Sequence, residues 1–186
     1  MLSISDIKTG KTISLNGNPY LVIFHQHSKM GRAGAVLRTK LRNLKTGAVM
    51  EKTFQGADKI EEAEIVKNKA QYLYQDGTDF VFMDTASYEQ FSLPKSALGN
   101  LTDYLIEGTE VSLIIYNTAP INIELPIKMD FKVVEAPPAI KGNTADGGSK
   151  QVTLETGVKV NTPLFVKQGD VIRINTETGE YVERAK

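Results

Sequence analysis

The chain has 186 residues, 41% of them hydrophobic and 24% charged, with no net charge; this is an ordinary globular composition with room for one large domain or three small ones. It contains no cysteine, which excludes disulfides and thiolate chemistry, Cys-type zinc sites included. The opening MLSISDIKTG lacks an apolar signal core and no apolar run nears the ~20 residues of a membrane span, so a cytoplasmic protein with no membrane partner is expected.

The zero net charge conceals an asymmetry. Residues 1–64 carry ten Lys/Arg against six Asp/Glu, residues 65–127 three against eight, and residues 128–186 nine against eight. Between Asp6 and Glu51 there is no acid, yet Lys8, Lys11, Lys29, Arg32, Arg38, Lys40, Arg42 and Lys45 lie there. Such a block is either a polyanion footprint or a solvated basic face, and charge alone leaves both open.

In chain order, the turn Asn16-Gly17 precedes a β-branched and aromatic run, YLVIF at 20–24, which reads as a core strand. The segment HQHSKMGRAGAVLRTKLRNLKTG follows. Its incoming strand ends near His25, and its outgoing strand alternates, with Ala35, Leu37 and Leu41 on one face and Arg38, Lys40 and Arg42 on the other. One face can pack on a core while the other offers cations about 6.5–7 Å apart, close to the phosphate repeat of a nucleic acid. Between the strands, Gly31 and Gly34 bracket Arg32. Two glycines permit a tight protruding loop with a guanidinium at its tip, able to reach a phosphate or a base. A plain hairpin turn with an exposed arginine fits the same residues. His25 and His27, the only histidines, share a strand face; with no third ligand nearby, a solvent- or RNA-facing role fits them better than metal.

Beyond the turn Thr46-Gly47 the acidic stretch DKIEEAEI ends and the charge sign flips, giving a boundary near residue 64. The next unit holds the turn Asp76-Gly77, the strand DFVFM at 79–83, short helical turns expected in SYEQFSL at 87–93 and PKSALGNLTDYL at 94–105, and the strand VSLIIY at 111–116. A second boundary follows Leu125-Pro126. The last unit holds the strand runs KVVE at 132–135, LFV at 164–166 and VIRIN at 171–175, a loop of disordered character, KGNTADGGSK at 141–150, and turns at Thr156-Gly157, Gln168-Gly169 and Thr178-Gly179. Short strands with evenly spread turns predict an all-β protein of small barrels, divided as residues 1–64, 65–127 and 128–186. No G-x-S-x-G, P-loop or dinucleotide fingerprint occurs and the carboxylates are scattered, so an enzyme is not expected.

Three ordered stretches resemble bacterial elongation factor P: KMGRAGAVLRTKLRNLKTGAVMEKTF, QYLYQDGTDFVFMDTASYEQFSL, and SKQVTLETGVKVNTPLFVKQGDVIRINTETGEYVERAK with Lys150, Gly157, Pro163 and Gly169 in register. The resemblance implies three small β-barrels in an L shape, an SH3-like or KOW-type barrel followed by two OB-type barrels. It implies a monomeric translation factor without cofactor or metal, whose partners are the ribosome, peptidyl-tRNA and rRNA. Members of that family bind between the peptidyl-tRNA and exit-tRNA sites and relieve stalling at consecutive prolines. The tip residue falls on Arg32, so the chain resembles the arginine type, in some lineages of which a modifying enzyme rhamnosylates the tip. Met30 replaces a proline common before the tip glycine in lysine-type members, and Lys29 lies off the tip. The resemblance places Lys29, Gly31, Arg32, Gly34, Arg38, Lys40 and Arg42 against tRNA or rRNA. It places Gly142, Asn143 and Thr144 near the exit-site codon, with Asn143 where the family has an aspartate, which turns an acceptor into a mixed donor and acceptor. It places Tyr181 and Arg184 in a C-terminal RNA contact, for which a core tyrosine beside a surface arginine is the structural alternative. A general single-stranded RNA-binding OB protein is the second hypothesis; an aromatic content of 8% without tryptophan speaks against it.

Overall fold

The computed structural model describes residues 1–29, 35–138 and 148–185. Among them are three five-stranded sheets, so the all-β expectation holds. The first contains β1 (Thr12–Leu15), β2 (Asn18–Lys29), β3 (Ala35–Asn43), β4 (Val49–Gln55) and β5 (Glu61–Glu62), in the order β4-β3-β2-β1-β5. Its inward residues follow strand alternation. Ile13, Val22, Leu37, Leu41 and Phe54 close on Ile7 and Ile60 from the flanking segments, all buried.

The second sheet contains β6 (Ile65–Asp76), β7 (Asp79–Asp84), β8 (Gln90–Pro94), β9 (Glu110–Tyr116) and β10 (Ala119–Glu124), ordered β10-β9-β6-β7-β8. Aromatic contacts fill its core, with the Tyr72 ring 5.8 Å from Phe80 and 5.4 Å from Phe82. Between β8 and β9 lie α1 (Lys95–Leu98) and a 3-10 turn over Gly99–Tyr104. The helical expectation therefore holds for PKSALGNLTDYL. It fails for SYEQFSL, whose second half is β8, because pairing of Phe82 with Phe91 and Phe80 with Leu93 buries Leu93 on the sheet.

The third sheet contains β11 (Lys128–Glu135), β12 (Ser149–Leu154), β13 (Lys159–Pro163), β14 (Val171–Asn175) and β15 (Glu180–Arg184), ordered β13-β12-β11-β14-β15. Phe131, Val133, Val152, Leu154, Ile172 and Ile174 are its buried centre. The run LFV at 164–166 is a turn rather than a strand. Only Val166 is buried there, while Leu164 and Phe165 face solvent.

The six Gly-containing turns read from the sequence all place their glycine at positive φ, between 59° at Gly77 and 90° at Gly169, a region open to glycine without a Cβ clash. The chain forms two compact units. One comprises Met1–Gly99 with Ser112–Glu124, the other Asn100–Val111 with Leu125–Lys186. Inside the first unit the two sheets share a polar tie. Asn122, 8% exposed, donates through Nδ2 to the Leu44 carbonyl at 3.0 Å and the Ala97 carbonyl at 3.1 Å. Inside the second, the Tyr104 ring packs on Phe131 with centroids 5.9 Å apart.

Candidate nucleic-acid interface

The β2–β3 hairpin is the longest two-stranded ladder of the first sheet, paired in register from Tyr20↔Asn43 to Lys29↔Ala35. Along β3 the alternation read from the sequence is realised. Leu37, Thr39 and Leu41 are buried, and Arg38, Lys40 and Arg42 are exposed in one column on the opposite face. Ala35 departs from that expectation and is exposed. It lies on the core-facing side, but the buried residues of β3 start at Leu37.

The ladder is not uniform. Val22 pairs with Leu41, but the next pair is Phe24 with Lys40, so Ile23 is an extra residue in a β-bulge. The bulge shifts the parity of β2. Without it Phe24 would oppose buried Thr39; with it Phe24 and Gln26 join Lys40 and Arg38 on the outer face. Phe24 is 44% exposed, which corrects its assignment to a core run. His25 and His27 turn to the other face, opposite Thr39 and Leu37, with ring centroids 6.0 Å apart at 82°. The Thr9 backbone N–H donates to Nδ1 of His25 at 3.1 Å, and the Thr9 hydroxyl lies 2.9 Å from the same nitrogen.

The cations differ in their partners. Lys40 Nζ lies 3.3 Å from Glu51 Oε1, an exposed pair across β3 and β4. Among the described residues no carboxylate comes within ion-pair distance of Arg38 or Arg42. Among these residues neither guanidinium has its charge answered. Lys29 closes the ladder opposite Ala35. Gly31, Arg32 and Gly34 lie outside the described residues, as do Gly142, Asn143 and Thr144.

Tyr181 and Arg184 are on β15, in the other unit. Tyr181 pairs with Ile174 and is half-buried, whereas Arg184 pairs with Ile172 and is exposed. Beside them, Arg173 grips Asp130 with two bonds, Nε–Oδ1 at 2.7 Å and Nη2–Oδ2 at 3.0 Å, and reaches Glu183 Oε1 at 2.7 Å. The bonds from Arg173 hold the Asp130 carboxyl below its usual range. No sequence motif marked this cluster; its members come together only through the β11–β14 and β14–β15 register.

Three family descriptions match successive stretches of the chain. Residues 3–60 match the family description "Elongation factor P (EF-P) KOW-like domain", residues 65–123 "Elongation factor P (EF-P) OB domain", and residues 129–184 "Elongation factor P, C-terminal". A protein of Moorella thermoacetica named elongation factor P is 46% identical over 185 residues, covering 100% of both chains. The chain belongs to the elongation factor P family. Another elongation factor P, from Carboxydothermus hydrogenoformans, is 46% identical over 184 residues, 99% of this chain and 100% of the relative. Among solved structures, the "eukaryotic translation initiation factor 5A from Methanococcus jannaschii" superposes with a TM-score of 0.51 at 24% identity, over 67% of this chain and 93% of its own. That likeness concerns the fold. As an elongation factor P family member the chain is a translation elongation factor, and the relatives bear the name of a translation factor rather than of an enzyme. Among the described residues no helix is long and apolar enough to cross a membrane.

Proposed function

We propose that this elongation factor P family member binds the ribosome between the peptidyl-tRNA and exit-tRNA sites and stimulates peptide-bond formation, relieving stalls at consecutive prolines. The observation that carries this is the full-length match to elongation factor P relatives, 46% identical from end to end. The column of Arg38, Lys40 and Arg42 behind the tip supports it, because a rigid strand pair holds the cations in one line for a phosphate backbone. Proline's ring fixes φ and hinders the approach of the reacting groups. A protein that steadies the peptidyl-tRNA acceptor end restores orientation without supplying a reacting group, so the factor acts on a ribosomal reaction and is not itself an enzyme.

In this role Arg32 is the arginine-type tip that braces the acceptor end, with Lys29, Arg38, Lys40 and Arg42 as backbone anchors. Gly31 and Gly34 belong to the same tRNA- or rRNA-binding set. The loop Gly142, Asn143 and Thr144 faces the exit-site codon, and Tyr181 and Arg184 touch RNA from the C-terminal part. Function divides along residues 1–64, 65–127 and 128–186, and the factor works as a cytoplasmic monomer. Co-sedimentation tests the ribosomal assignment. The chain pellets with ribosomes and is displaced by deacylated tRNA at the exit site but not by an excess of random-sequence RNA. Equal displacement by both would instead make it a general single-stranded RNA binder.

A further inference from the structure

The outer face of the hairpin carries one feature that phosphate binding does not explain. Phe24 is 44% exposed and stands directly opposite Lys40, in the middle of the cation column. It is there because of the bulge at Ile23; an unbroken ladder would turn the ring toward the core side, opposite Thr39. A bulge that re-aims a side chain is a specific feature of a sheet, and here it exposes an aromatic ring that burial would favour covering. Lys40 has its charge answered by Glu51 at 3.3 Å, while Arg38 and Arg42, two residues to either side of it, have no such partner among the described residues. The face therefore presents a ring at its centre with a free guanidinium on each side, the two Cα atoms about 13 Å apart along the strand.

We propose that Phe24 is a stacking platform for an unpaired nucleobase, with two phosphates of the same strand, two repeats apart, held by Arg38 and Arg42. The platform rests on the ribosome-bound role proposed above and specifies what this face takes: single-stranded RNA, held by stacking and charge. Bases in a duplex have both faces covered, so only an unstacked nucleotide can offer its π-face to the ring. The positive charge beside the ring selects a polyanion over an apolar peptide. Gln26, next outward on β2 and opposite Arg38, adds a donor and an acceptor within the same row.

The chain has no tryptophan, so Phe24→Trp places a single indole reporter at the platform. A mixed-sequence single-stranded oligoribonucleotide should quench its emission saturably at low salt, and the same sequence as a duplex should not. At the higher salt of the ribosome assay this contact of one base and two phosphates is too weak to compete. Phe24→Leu, which keeps an apolar side chain without a ring, should weaken oligoribonucleotide binding by about tenfold, read by anisotropy of the labelled RNA. Binding of the Phe24→Trp chain without any change in indole emission, or wild-type affinity in Phe24→Leu, would overturn the platform. If the unaltered chain pellets with ribosomes in either case, the ribosomal role survives and only the platform falls. If it does not pellet with ribosomes, both fall.

Discussion

Asp84 shows how much one side chain can organise. Its Oδ1 accepts the backbone N–H groups of Ala86 at 2.8 Å and Ser87 at 3.0 Å, and its Oδ2 accepts Asn68 Nδ2 at 2.8 Å. The Ser87 backbone bond, then Asn68, then the Ala86 backbone hold the carboxyl below its ordinary value of 3.8. A depressed folded value means that the stabilisation is fully present above pH 3.8 and is lost as pH falls through the folded value beneath it. Asp84→Ala should lower the melting temperature at neutral pH. Its deficit against the wild type should shrink as calorimetric scans move below pH 3.8; a pH-independent deficit would mean that the turn geometry rather than the charge matters. Asn122 makes a different residue-scale prediction. Removing its amide in Asn122→Ala leaves the Leu44 and Ala97 carbonyls without that donor in a part-buried setting. The cost should be about 1–3 kcal/mol in denaturant unfolding.

For single elements, the sequence reveals what periodicity and turn chemistry control. The glycine of every turn read from the sequence has positive φ, and the in–out pattern of Leu37, Leu41 and the three cations of β3 is realised. The bulge is different in kind. YLVIF is apolar at each position, so no alternation marks the residue at which parity changes, and Phe24 reads as core until the pairing with Lys40 is known. Similarly, LFV at 164–166 has strand composition, but Val166 alone finds a buried place. Asn122 gives no signal at all, because its partners Leu44 and Ala97 lie 78 and 25 residues away in sequence. The cation column carries its own prediction. If Arg38 and Arg42 each neutralise one phosphate, replacing either with Gln should reduce the slope of log affinity against log salt by about 1. Loss of affinity with an unchanged slope would place that arginine away from the backbone.

On the scale of the molecule, the charge partition read from the sequence has a structural counterpart. The described residues of the acid-free stretch from Asp6 to Glu51 contribute strands to one sheet, and alternation gathers three of its cations on one face. A barrel of some sixty residues is marginal alone, and the first two sheets belong to one compact unit with Asn122 bonded across them. The hairpin is thus mounted on a larger body, which suits the bracing role proposed for it. The proposed bracing role assigns Arg32 to the action on consecutive prolines. The most direct measurement is the rate of synthesis of a peptide containing consecutive prolines by purified ribosomes, with wild-type chain and with Arg32→Ala. The wild type should restore synthesis through the prolines, and Arg32→Ala should lose that stimulation while leaving a proline-free control peptide unchanged. Full stimulation by Arg32→Ala would rule out that role of Arg32.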